Sequence, residues 1–129
     1  MILLDTHTLV WAVAEPKQLS RPATAAIRKA RREDGIAIAA MTLWELAVLI
    51  VRGRIQAYGT VEDSVRLLVE GVIVKPLTPE IAVLAAQFPD DYPRDPADRI
   101  IGATARAEGL LLVTRDEGIR QCPFVKTVW

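Results

Sequence analysis

Four acids in this chain share one kind of position. Asp5, Glu45, Asp98 and Asp116 each stand where a strand-like apolar run meets a helical pattern, and an open parallel sheet gathers such junctions along one edge. Ile2-Leu3-Leu4 runs straight into Asp5, and Leu110-Leu111-Leu112-Val113 is followed by Thr114-Arg115-Asp116. Carboxylates brought within a few ångströms of one another repel, and they take up protons unless a cation neutralises them. Mg²⁺ or Mn²⁺ suits a ligand set made only of carboxylate oxygens, and water on such an ion attacks phosphodiesters. The chemistry expected here is metal-dependent phosphodiester hydrolysis.

Each acid also has a plainer reading. Asp5 can cap the turn that follows it, yet Thr6 beside it is an adequate cap by itself, which leaves Asp5 free to point outward. Thr42-Leu43-Trp44-Glu45 fits a capping box, in which the glutamate folds back onto a backbone amide. Leu43, Trp44, Leu46, Ala47, Val48, Leu49 and Ile50 surround Glu45 with apolar side chains, so its charge needs a stronger partner than one amide. Asp95 precedes Pro96, an ordinary helix start, and is either a cap or a ligand held in reserve. Asp98 leads Ile100 to Ala105, a small, apolar stretch able to press against a sheet. Asp90 and Asp91 fall in a proline-rich loop and read as solvated.

The elements that must position these acids alternate strand-like and helix-like, which signals βαβ units. Expected strands are Ile2 to Leu4, Ile36 to Ala39, Val72 to Val74, Leu110 to Val113 and Phe124 to Val128. Most are apolar throughout, as strands covered by helices on both faces are. Ser20 and Pro22 open a helix with Ala23, Ala26, Ile27 and Ala30 on one stripe. Thr60 caps a helix with Val61, Val65, Leu68 and Val69 inward, and Thr78-Pro79 opens one with Ile81, Leu84, Ala85 and Phe88 inward. The fold expected is α/β, a three-layer α/β/α sandwich around a central, mainly parallel sheet, in one domain over residues 1–129.

Composition narrows the classes further. At 129 residues and 51% hydrophobic content, the chain can bury one good core. Sixteen basic and 16 acidic side chains give a formal net charge of zero, so no global field draws in a polyanion and local patches must hold it. The single cysteine, Cys122, excludes an internal disulfide and a cysteine-based zinc cluster and fits a reducing cytoplasm. No signal peptide is expected. Ile36 to Val51 is too short to span a bilayer and contains Glu45, so no membrane association is expected.

Leu4-Asp5-Thr6-His7-Thr8-Leu9-Val10-Trp11, Thr42-Leu43-Trp44-Glu45, Asp95-Pro96-Ala97-Asp98-Arg99-Ile100-Ile101 and Leu112-Val113-Thr114-Arg115-Asp116 resemble, in order and over the whole chain, the successive motifs of PIN-domain ribonucleases. More narrowly, they resemble those of VapC toxins from toxin–antitoxin pairs. The resemblance implies a Mg²⁺- or Mn²⁺-dependent endoribonuclease cutting structured RNA such as transfer or ribosomal RNA. It implies Asp5 and Asp98 as principal metal ligands, Glu45 completing the set, and Asp116 holding the metal directly or through water. It also implies a homodimer silenced by a cognate VapB-type antitoxin. Ala97 and Gly102 depart from the bulky aromatic and the alanine that many relatives carry.

Two other classes remain beside it: a PIN-domain nuclease that is not a toxin, and a catalytically silent PIN-like module that only binds RNA. A haloacid-dehalogenase-type phosphatase would need a second acid where His7 stands. Among the lesser candidates, Arg99 and Arg115 either grip phosphate or balance the acids, with Thr6 and Thr114 as further substrate contacts. His7 is a general base or ligand, or hydrogen-bonds locally at the helix start. Arg28, Lys29, Arg31, Arg32, Arg52 and Arg54 are RNA-backbone contacts or a solvated face. Trp11 and Trp44 read as core or dimer contacts rather than base-stacking platforms.

Overall fold

The computed structural model describes all 129 residues. Five strands, β1 (Ile2–Leu4), β2 (Ile36–Ala39), β3 (Ile73–Lys75), β4 (Leu111–Val113) and β5 (Thr127–Val128), form one sheet in the order β3-β2-β1-β4-β5. Every pairing is parallel. Seven helices accompany it: α1 (Thr6–Ala14), α2 (Arg21–Arg32), α3 (Ala40–Val51), α4 (Val61–Leu68), α5 (Pro79–Ala86), α6 (Pro96–Glu108) and α7 (Glu117–Arg120). None is long and apolar enough to cross a membrane.

Alternation along the strands sorts the core into two layers. Leu3, Ala37, Ala39 and Leu112 face a cluster built with Ile81, Ala85 and Phe88 of the α5 segment, Ile101, Ala103 and Ala105 of α6, and Ile119 of α7. Ile2, Leu4, Ile36, Ile38 and Val113 face the opposite cluster, with Leu9, Val10, Ala23, Ile27, Ala30 and Leu46 from α1, α2 and α3. Apolar burial on both faces explains why β1 and β2 are wholly hydrophobic.

The strand order matters more to function than the layer count. The chain winds outward from β1 through β2 to β3, then returns across the sheet to place β4 beside β1. Connections leave β1 and β4 on opposite faces, so a crevice opens beyond their carboxyl ends, where open α/β sheets bind ligands.

Several boundaries differ from those expected. β3 begins at Ile73, and as the sheet's edge it leaves Ile73 and Val74 exposed. β5 is only Thr127–Val128: the Phe124 carbonyl accepts from Arg106 at 2.8 Å, and a backbone group so engaged leaves the ladder. Val61 is exposed, while Ser64 turns inward and serves the carbonyls of Tyr58 and Thr60. Of the α2 and α5 stripes, Ala23, Ile27, Ala30, Ile81, Ala85 and Phe88 are buried, and Ala26 and Leu84 half-buried.

Candidate active site

A cleft of about 420 Å³ lies at the crevice between β1 and β4 and is lined by Asp5, Thr6, His7, Thr8, Trp11, Glu45, Asp95, Asp98, Arg115 and Asp116. Its walls come from the start of α1, from α3, from the start of α6 and from the turn after β4. Residues up to 111 positions apart in the chain are thereby brought together, and all four acids are among them, although only Asp5 and Asp116 follow strands: Glu45 lies within α3, and Asp98 opens a helix that follows α5. A larger cavity of about 960 Å³ lies elsewhere and contains none of the four. Size alone would point to that one; the converging charges point to the cleft.

Asp5 follows β1 at once, and its backbone N–H still donates to the Val113 carbonyl at 3.1 Å. It is itself the cap of α1, with Oδ1 accepting from the Thr6 amide at 2.8 Å. Thr6 is therefore not the cap. Oδ2 of Asp5 accepts from the Thr114 hydroxyl at 2.7 Å, and that hydroxyl also accepts from the Asp116 amide at 3.1 Å. One buried threonine thus ties the two strand-end acids together.

Glu45 makes no capping box. α3 starts at Ala40, with Ala39 at its cap, so the glutamate is already in the second turn. Its Oε1 accepts from the Thr6 hydroxyl at 2.5 Å, and Thr6 meets the Thr42 hydroxyl at 3.0 Å. Because Thr6 gives its single proton to Glu45, Thr42 must donate to Thr6. Thr6, Thr42 and Thr114 are all buried. Their hydroxyls engage carboxylates or one another, where Thr6 and Thr114 were expected as substrate contacts and Thr42 was read only as the cap of a capping box.

Asp95 caps α6, accepting from Ala97 and Asp98 amides; it lines the cleft while doing so. Asp116 lies beyond the end of β4 and caps α7 through the Ile119 amide. Asp98 sits in the first turn of α6, and its carbonyl accepts from the Tyr92 hydroxyl at 2.9 Å. Tyr92 reaches that backbone because residue 102 is glycine: a Cβ there would fall on the phenol oxygen. The absent alanine noted in the sequence is thus room for a tyrosine.

Arg99 does not join the acids. Its guanidinium donates to the carbonyls of Ala85, Phe88, Pro89 and Tyr92, tying the proline-rich loop to α6. Arg115 does line the cleft. His7 is exposed there, with its ring against Trp11 rather than in a local hydrogen bond. Trp44 is 63% exposed and is no core residue; Trp11 is half-buried at the cleft. Arg31 and Arg54 line the larger cavity instead.

Burial and crowding hold protons on the site. Asp98 is pushed up to about 7, first by desolvation and then by Asp5, Asp95, Asp116 and Glu45. Burial likewise raises Asp5, against the hydrogen bonds from Thr114 and Thr6, and raises Glu45, against the bond from Thr6. Repulsion of this kind identifies groups that a cation would stabilise. No three of the acids stand close enough to form a ready-made ion cage. The donors fit a hard divalent ion in kind, with room for water among them, as magnesium prefers.

A family model for the PIN domain matches residues 2–125. The chain belongs to the PIN-domain family. It is 42% identical over 130 residues to Ribonuclease VapC22 of Mycobacterium tuberculosis (strain ATCC 25618 / H37Rv), an alignment spanning 99% of this chain and 98% of the relative. Among solved structures, DNA-bound VapBC from Salmonella typhimurium matches with TM-score 0.73 at 20% identity, over 99% of this chain and 98% of that one. VapBC2 from Rickettsia felis, bound to a promoter DNA fragment, matches at 0.71 and 15%, over 99% and 98%. A toxin-antitoxin complex from Klebsiella pneumoniae matches at 0.70 and 22%, over 100% and 97%. These likenesses show a shared α/β/α sandwich.

Proposed function

We propose that this chain is a Mg²⁺- or Mn²⁺-dependent endoribonuclease, the toxin of a VapBC-type pair, hydrolysing phosphodiester bonds in structured RNA, transfer or ribosomal. The observation that carries this reading is the gathering of Asp5, Glu45, Asp98 and Asp116 around one cleft at the sheet's switch point. The 42% identity to a protein named a ribonuclease supports the reaction, and the likeness to VapBC complexes supports a VapB-type antitoxin as partner. The protein acts in the cytoplasm as a homodimer and a single domain.

Asp5 and Asp98 would be the main metal ligands, with Glu45 and Asp116 completing the set and Asp95 in reserve behind its capping role. A divalent ion there supplies positive charge that offsets the crowded carboxylates and polarises water and phosphate. The chain's own part is positioning. Thr114 fixes the plane of the Asp5 carboxylate, the Thr42–Thr6 pair fixes Glu45, and Tyr92 fixes the backbone of Asp98. Without an ion, Asp98 keeps its proton to near neutral pH.

The test is hydrolysis of total transfer and ribosomal RNA by the purified protein. Cleavage that EDTA abolishes and Mn²⁺ restores is expected, together with growth arrest on expression that a small neighbouring reading frame relieves. RNA bound but never cut, with or without Mn²⁺, would leave the silent module. Cleavage without growth arrest would leave a nuclease that is not a toxin.

A further inference from the structure

A row of rings that the carboxylate chemistry does not use runs away from the acidic cleft, which His7 and Trp11 line and Trp129 does not. His7 and Trp11 have ring centroids 5.9 Å apart and tilted by 47°, and Trp11 and Trp129 have centroids 5.8 Å apart and tilted by 56°. His7 is exposed, while Trp11 and Trp129 are half-buried behind it. The guanidinium of Arg115 lies 5.8 Å from the centroid of Trp11.

Arg115 is out of keeping with its surroundings. Five carboxylates line the same cleft, and an arginine among acids ordinarily pairs with one. The chain's three ion pairs lie elsewhere, at Met1–Asp34, Arg66–Glu62 and Lys75–Glu108. Arg115 rests on the indole instead, a contact that holds the guanidinium without using its N–H donors. His7 and Arg115 are the only basic side chains lining the cleft.

We propose that His7, Trp11 and Arg115 form a nucleotide subsite beside the acids. An unstacked base extends the aromatic row on the open face of His7, and the adjoining phosphate takes the free donors of Arg115. The chain has no net charge to attract a polyanion, so something local must hold RNA against five acids. Stacking on an aromatic platform does this without regard to base identity, and a cation on the indole face offsets part of the acids' repulsion. The assignment deepens the nuclease reading and rests on it: it names the part of the RNA that is gripped next to the bond to be cut.

His7 and Arg115 are both exposed, so His7→Ala and Arg115→Met leave the core untouched; Trp11, half-buried, is left alone. Fluorescein-labelled eight-nucleotide RNAs of mixed sequence, intact or with one abasic position walked along the strand, are titrated by anisotropy in EDTA. The intact strand binds, and one abasic position weakens binding roughly tenfold. His7→Ala removes that dependence, and Arg115→Met weakens every strand and lowers the salt slope by about one ion. Indifference to every abasic position, or His7→Ala binding like the parent, overturns the subsite. So does equal competition by polyphosphate, which would mean a purely ionic grip. Cleavage of transfer and ribosomal RNA in Mn²⁺ is scored separately: its absence with base-dependent binding intact would sink the nuclease reading alone, and its presence with base-indifferent binding would sink the subsite alone.

Discussion

Replacing Asp98 with asparagine should destroy activity and yet make the metal-free protein harder to unfold. The carboxyl is pushed from its ordinary value near 3.8 up to about 7. A raised acid of this kind favours the fold fully below its unfolded value, and the advantage is lost as pH rises through the folded one. At pH 8 the ionised side chain therefore works against folding. A shift of about three units corresponds to a ceiling of roughly 4 kcal/mol. The side chain is only half-buried, so solvent screening cuts that figure to about 1.5 kcal/mol. Asparagine also forfeits the attraction of a negative charge to the first turn of α6, about 0.5 kcal/mol. The net gain is about 1 kcal/mol, which for a chain of this size raises Tm by roughly 3–5 °C. Thermal melts in EDTA at pH 8 and at pH 4 measure it: Asp98→Asn should melt higher at pH 8, and the margin should vanish at pH 4, where the carboxyl is protonated. Mn²⁺ should then raise the parent's Tm and leave the variant's nearly unchanged. A variant that melts below the parent at pH 8, or that keeps the same margin at pH 4, would refute crowding as the cause, and undiminished RNA cleavage would remove Asp98 from the site.

Thr114→Val keeps the buried shape but strips Asp5 of its hydroxyl donor; cleavage should fall roughly tenfold, the worth of one hydrogen bond to a charged group, with little change in circular dichroism. Thr42→Val should act more weakly and in the same direction, because it reaches Glu45 only through Thr6; an effect larger than that of Thr6→Val would contradict the chain of donors. Gly102→Ala should cost about 1–3 kcal/mol by overpacking, seen in urea unfolding, and Tyr92→Phe in the same protein should recover part of it by removing the colliding oxygen. In metal-free parent protein, unfolding free energy should decline as pH rises from about 4 through 7, since Asp5, Glu45 and Asp98 are all raised; a flat profile would mean that the acids do not feel one another.

Local signals carried far. The wholly apolar runs at Ile2–Leu4 and Ile36–Ala39 became two of the three inner strands, and Ser20, Thr60 and Thr78 became the caps expected of them. Where the sequence misled, a partner distant in the chain had intervened. Thr6 looks like a cap, but a hydroxyl opposite Glu45, 39 residues away, does more good there, and Asp5 takes the amide instead. Thr42 and Glu45 have capping-box spacing, but Ala39 and Ala40 already lead from strand to helix. Arg99 beside Asp98 looks like a phosphate grip, yet four carbonyls from the end of α5 and the loop after it converge on its guanidinium.

By itself, the order of residues determined which side chains could do chemistry and that Asp5 and Asp116 stood just past strands, because charge type and apolar periodicity are local properties; Glu45 proved to lie inside α3, and Asp98 to follow the α5–α6 loop rather than a strand. Only the tertiary structure decided what each then does. Placing β4 beside β1 puts Thr114 on Asp5, docking α3 beside α1 puts Thr6 on Glu45, and the gap at Gly102 lets Tyr92 reach Asp98. Hydrogen bonds and repulsion act over a few ångströms, and it is the parallel crossover that turns separations of 39 and 109 residues into such distances.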